Sequence, residues 1–134
     1  MNKISITLMV ACLLVVHAVH AQSLQDGVND IYAERYKSAK ATFEKLIAAN
    51  PNNIDATYWL GQTHIAMGDI PGARTVYEKA LLASANAPLV IVGMGQVELN
   101  EKKVSEARQR FEAAITMTRG KKGDDPVILN AVGR

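Results

Sequence analysis

Apolar side chains return along this chain every three or four residues, in short runs separated by turn residues. Tyr36, Ala39, Phe43, Leu46 and Ile47 form one such stripe, closed by Asn50-Pro51-Asn52. That spacing puts them on one face of a helix, which Pro51 cannot continue. Asn52-Asn53 then offers a cap for a helix beginning near Ile54, along which Ala56, Leu60, Gly61 and His64 share helical spacing. Gly68-Asp69 ends that segment as a left-handed cap would, and Pro71 suits the first turn of the next helix. Ala73, Val76, Tyr77, Ala80 and Leu81 form its apolar stripe. Pro88 opens a further helix, and Ala107, Phe111, Ala114 and Ile115 repeat the stripe.

These stripes are copies of one unit. Gly27, Gly61 and Gly95 lie 34 residues apart, as do Ala39, Ala73 and Ala107, and Phe43, Tyr77 and Phe111. Such a period is the length of a helix–turn–helix unit that stacks on itself. Glycine and alanine let two antiparallel helices approach closely, and the aromatic fills the space beside the crossing. Each pair keeps an apolar flank that only the next pair can cover.

Leu60-Gly61, Gly68, Ala73, Tyr77 and Ala80 in the middle unit resemble the tetratricopeptide repeat, as do Gly95, Ala107, Phe111 and Ala114 in the next. Ala39, Phe43 and Pro51 match in the first unit, so the resemblance runs from Ser23 to Arg134. It implies an all-α fold: a right-handed superhelix of stacked antiparallel helix pairs, about three repeats plus the first helix of a fourth. Some positions depart from the pattern. Thr57 stands where a tryptophan is usual, and Trp59 follows two residues later, in a stripe with Ala56 and Thr63 expected to pack on the preceding unit. Lys102 replaces the turn glycine, which weakens the expectation of that turn, and Ala85 replaces the closing proline shortly before Pro88.

The two ends read differently. Asn2-Lys3, an apolar run from Ile4 to Val16, and Val19-His20-Ala21 have the order of a secretory signal peptide cut after Ala21. Residues 1–21 are therefore expected to be a signal, and 22–134 a repeat domain with units at about 22–53, 54–87, 88–121 and a truncated 126–134. The apolar run is short for a span of ~20 residues, so no integral membrane segment is expected after cleavage. A lipoprotein signal at Cys12 is opposed by the apolar stretch continuing through Leu13 to Val16. At the other end, Asp125-Pro126 looks like a cap and first turn. Gly133 follows Gly95 by 38 residues, so four extra residues sit in the loop around Gly120-Lys121-Lys122-Gly123. A fourth unit begins there, and no second helix follows to cover Val127, Ile128, Leu129 and Val132. The expectation is the front portion of a longer repeat protein, or a lone capping helix open to self-association.

Composition narrows the chemistry. The net charge of +2, from 15 basic and 13 acidic residues, is interspersed, which gives no footprint for nucleic acid. Cys12 is the only cysteine and would leave with the signal, so packing rather than disulfides must hold the mature chain. His64 would be the one histidine left, too few for the usual metal clusters, and it is read as a packing residue. Pro88 to Gly95 imitates the start of a dinucleotide-binding fingerprint, but Glu98 stands where the third glycine belongs and the repeat register makes Gly95 helical. The basic run Arg119-Gly120-Lys121-Lys122 is read as a solvated loop. No catalytic residue, metal or cofactor is expected.

The resemblance also implies a concave wall lined by the first helix of each unit. Its exposed groove positions fall on Asp55, Tyr58, Gln62 and Ile65, then on Leu89, Val92, Gln96 and Leu99. Tyr32 closes one end, and Asn130 with Arg134 the other. The surface lacks the lysine and asparagine set with which some members of the family clamp a carboxylate terminus. The function implied is an exported, non-catalytic scaffold that holds a protein or peptide partner, at the periplasm or outer surface of a bacterial envelope. Two alternatives stand beside it: the docking region of a larger exported enzyme, and a self-assembling envelope protein. The signal reading predicts that protein recovered from the host envelope begins at Gln22, which intact-mass spectrometry checks; a retained Met1 contradicts it.

Overall fold

The computed structural model describes residues 23–119 and 125–133, so the expected signal segment and most of the basic loop lie outside the described residues. Among the described residues there are seven helices and no strand. They are α1 (23–32), α2 (Tyr36–Ala49), α3 (Ile54–Ala66), α4 (Ile70–Ala83), α5 (Pro88–Asn100), α6 (Val104–Thr118) and α7 (Pro126–Val132). Local chemistry sets most of their starts. Asn53, Asp69 and Asp125 each accept a backbone N–H of the first turn, and proline occupies the opening of α4, α5 and α7.

Consecutive helices pack as antiparallel pairs, and α3, α5 and α7 also touch one another in sequence. The second helices α4 and α6 make no comparable contact, so the stack bends toward its first helices. α5 lies at the centre. Every residue from Val90 to Glu98 is buried, as expected of a helix apolar on all sides. The apparent dinucleotide motif is inside this helix, and both its glycines are packing positions. A Cβ on Gly93 would strike the Tyr77 ring, and one on Gly95 would lie 2.6 Å from Phe111 Cε1. Gly27 stands in the same relation to Phe43, at 2.7 Å. Tyr77 and Phe43 are wholly buried, each contributing roughly 2–3 kcal/mol from apolar area removed from water. Trp59 packs on both the central cluster and the preceding one formed by Ala39, Phe43, Leu46, Ala56 and Leu60.

One turn is used three times. Glu34, Gly68 and Lys102 all adopt positive φ, at 58°, 75° and 64°. Behind each, a backbone N–H returns to the carbonyl five residues earlier: Arg35 to Asp30, Asp69 to His64 and Lys103 to Glu98, at 2.8–2.9 Å. The doubt that Lys102 raised is corrected: the turn forms without glycine. Packing on both sides holds it against a backbone penalty of roughly 1 kcal/mol. The carboxyl-terminal expectation is also corrected in part. Ile128 and Ala131 are buried against the central cluster, because α7 lies on α5 and α6; Val127 and Leu129 remain exposed, at 60% and 45%.

Lys102→Gly is expected to raise stability by about 1 kcal/mol by removing the left-handed penalty. Gly95→Ala is expected to lower it by about 1–3 kcal/mol, since the new methyl must displace Phe111. Urea denaturation of the two variants beside the parent chain measures both signs.

Candidate functional site

The amino-terminal ends of α3, α5 and α7 come together around a pocket of about 170 Å³ lined by Asp55, Tyr58, Trp59, Leu89, Val127, Asn130 and Ala131. Each element reaches it for a local reason. The Asn53 side chain accepts the Ala56 N–H at 3.0 Å, which starts α3 so that Asp55 lies in its first turn. Pro88 starts α5 one residue before Leu89. Asp125 accepts the Val127 N–H at 2.8 Å and sets the start of α7. Tyr58 and Trp59 meet edge to face with ring centroids 5.4 Å apart, a favoured aromatic geometry. The result is a small apolar recess with one carboxylate and one amide at its edge. It suits a single large side chain of a partner, with Asp55 and Asn130 available to polar groups beside it.

Four expected groove residues therefore converge: Asp55, Tyr58, Leu89 and Asn130. The others do not line the pocket. Tyr32 is exposed at the far end of α1 and Leu99 is exposed on α5, whereas Ile65 is half-buried against the core. Arg134 lies outside the described residues. The expected exposure needs correcting at Tyr58, Val92 and Gln96, which are 2%, 0% and 8% exposed. The physical reason is the closeness of the first helices. Gln62 Nε2 donates to Gln96 Oε1 at 2.5 Å and to the Tyr77 hydroxyl at 2.9 Å. Gln96 Nε2 in turn donates to the Ala131 carbonyl at 2.7 Å. These amides tie α3 to α5 and α5 to α7 instead of facing a ligand. Trp59, Val127 and Ala131 were missing from the expected groove, because their place depends on how α7 lies against α3 and α5.

Polar groups away from the pocket fasten the stack. His64 Nδ1 lies 2.7 Å from Asp69 Oδ2, while Asp69 Oδ1 accepts the Gly72 N–H at 3.0 Å. The pair closes one helix and opens the next, consistent with a packing role for His64. The hydrogen bond from His64, then that from Gly72, holds the Asp69 carboxyl below its usual range. Arg74 makes a two-point contact with Glu101, Nε to Oε1 at 2.9 Å and Nη2 to Oε2 at 2.6 Å, and reaches Glu78 at 3.1 Å. Burial raises the Tyr77 hydroxyl's pKa, against the opposing effect of the Gln62 bond. Among the described residues no three metal-ligating side chains cluster, and no helix is long and apolar enough to cross a membrane.

Residues 31–91 match the tetratricopeptide repeat family. Tetratricopeptide repeat protein 1 of Schizosaccharomyces pombe is 30% identical over 97 residues, which is 65% of this chain and 9% of that protein. The chain thus spans about a tenth of the length of the curated relative it matches. Among solved structures, the type III secretion translocator chaperone SycD of Yersinia enterocolitica superposes with a TM-score of 0.72 at 17% identity, over 88% of this chain and 85% of that one. PcrH from Pseudomonas aeruginosa gives 0.69 at 18% identity, over 87% and 86%. PcrH is also known in complex with the chaperone binding region of PopB. Residues 31–91 thus resemble the tetratricopeptide repeat family, and the fold of the described residues is that of tetratricopeptide-like helical solenoids.

The ion pair at Glu101 makes an acid prediction. Arg74, then Lys103, lowers the Glu101 carboxyl from 4.5 to about 2. A carboxyl lowered on folding contributes its stability above the unfolded value and loses it as pH falls through the folded one. Thermal midpoints should therefore fall between pH 4.5 and about 2, and Glu101→Gln should flatten that part of the profile.

Proposed function

We propose that this chain is an exported, non-catalytic scaffold that captures a peptide segment of a protein partner on the wall formed by α3, α5 and α7. The observation that carries this reading is the pocket in which Asp55, Tyr58, Trp59, Leu89 and Asn130 converge from three helices. A partner segment crossing those helix ends seats one large side chain in the recess. Its neighbours reach the carboxylate of Asp55 and the amide of Asn130. The wall is already braced by the Gln62–Gln96–Ala131 hydrogen bonds, so binding requires little ordering of the scaffold. The complex of PcrH with a region of PopB supports peptide capture as a use of this fold. The signal-like amino terminus supports an envelope location, in the periplasm or at the outer surface.

A second reading has its own observation. Val127 and Leu129 stay exposed on α7, and this apolar edge suits stacking on a second copy. The test for the first reading uses a photo-crosslinking residue placed at Leu89 in the native envelope. An adduct with a partner protein is expected, and Asp55→Arg should reduce it at least about tenfold, a loss typical of an interface hot spot, while helicity is unchanged. Adducts only between copies of this chain favour the second reading. Adduct formation with another protein that Asp55→Arg does not affect contradicts the pocket assignment.

A further inference from the structure

The same position of each repeat carries a polar side chain, which in the first two repeats meets the turn that follows. In the first repeat Asp30 accepts from Arg35 Nε at 2.8 Å, and in the second His64 meets Asp69 at 2.7 Å. The third repeat has Glu98 and Lys103 at the matching positions, and the backbone bond between them is kept at 2.8 Å. The side-chain pair is not. The Lys103 ammonium lies on Glu101 Oε2 at 2.7 Å. Glu98, only 5% exposed, keeps one contact, from Arg110 Nε to its Oε1 at 3.1 Å. Its Oε2 is buried with no hydrogen-bond partner. A buried carboxylate oxygen left unpaired is costly, and a cation supplied from outside would relieve that cost.

Glu98 also lines an open cleft of about 470 Å³, on the side of α5 away from the pocket at the ends of α3, α5 and α7. The cleft exists because α4 and α6 do not close over α5. Leu81, Ile91, Ala113 and Met117 form apolar walls, and Glu106 and Arg110 stand with Glu98 as its charged groups. Two carboxylates against one guanidinium leave the cleft negative.

We propose that this cleft binds a lysine side chain of a protein partner, with its alkyl stem along Leu81, Ile91 and Met117 and its ammonium on Glu98 Oε2. A single unpartnered oxygen matches a compact ammonium on a long apolar stem better than the fork of a guanidinium, which seeks two. Arg110 holds Oε1 of the carboxylate with a side chain that is 43% exposed, and on binding it turns outward to admit the ammonium. The site is independent of the peptide wall, so the scaffold has a second surface on its opposite face.

The probes are two short synthetic peptides, acetyl-Leu-Lys-Leu-amide and the same peptide with norleucine for lysine, titrated into the chain while backbone amide NMR shifts are followed. The lysine peptide should move the amides of Ile91, Glu98, Arg110 and Met117 and bind at least about tenfold tighter than the norleucine peptide, as a charge-assisted contact does. Glu98→Gln should remove that preference, and Arg110→Gln, which removes the competing cation, should strengthen it. Asp55→Asn, on the opposite wall, should leave it unchanged. Equal affinity for the two peptides, shifts centred on Asp55 and Leu89, or a preference that survives Glu98→Gln would each overturn the proposal. So would weaker lysine binding in Arg110→Gln. If Glu98→Gln fails to fold, the Arg110→Gln result and the comparison of peptides still decide. Loss of partner capture at Leu89 bears on the peptide wall alone and leaves this cleft untouched.

Discussion

Tyr77 stands where two units of the stack meet, in a space kept open by glycines on different helices. Gly61 of α3 and Gly93 of α5 both face its ring, and a side chain on either would collide with it. The ring is wholly buried, so its hydroxyl must be paired inside the protein. It donates to the Tyr58 carbonyl at 2.9 Å and accepts from Gln62 at 2.9 Å. That requirement spreads outward. Gln62, held by Tyr77, holds Gln96, and Gln96 holds the carbonyl of Ala131 on α7. One buried aromatic thus sets the spacing of three first helices and, through them, the recess at their ends.

The same geometry produces two unlike faces. Small residues on the first helices draw α3, α5 and α7 together, while α4 and α6 stand apart across α5. On the close side lies a narrow recess between helix ends. On the open side lies a broader cleft whose floor includes a carboxylate. Burial of α5 on all sides follows from its place between these faces, and it accounts for the near absence of polar residues from Val90 to Val97. Repetition supplies the frame, and the departures from repetition supply the chemistry. Glu98 faces a cleft because Lys103 is engaged by Glu101, which itself is held by Arg74 from α4.

Much of the fold was legible because helix periodicity, caps and packing glycines are local or strictly repeated. The start at Ile54, the proline openings of α4, α5 and α7, and the helical setting of Gly95 could all be read from order and spacing. The turn at Lys102 was harder, since its conformation is imposed by packing and not by the residue itself. The groove was legible in part. Asp55 and Leu89 sit at helix beginnings, where a repeat register predicts them well, and Asn130 lies exposed further along α7. Tyr58, Val92 and Gln96 share that register, yet neighbouring helices bury them. The polar pairs at residues 30 and 35 and at 64 and 69 carried a signal of their own, a repeated spacing of five that also marks 98 and 103.

The sequence by itself determined that the chain is a stack of helix pairs, where most of those helices begin, and which aromatic and small residues meet at each crossing. These follow from periodicity and from steric volume, which are properties of residues and their spacing. Only the tertiary structure decided which groove residues are covered, which amides are spent between helices, and which carboxylate keeps an unpaired oxygen. Those outcomes depend on distances of a few ångströms between separate helices, set by the packing of the whole stack rather than by any one repeat.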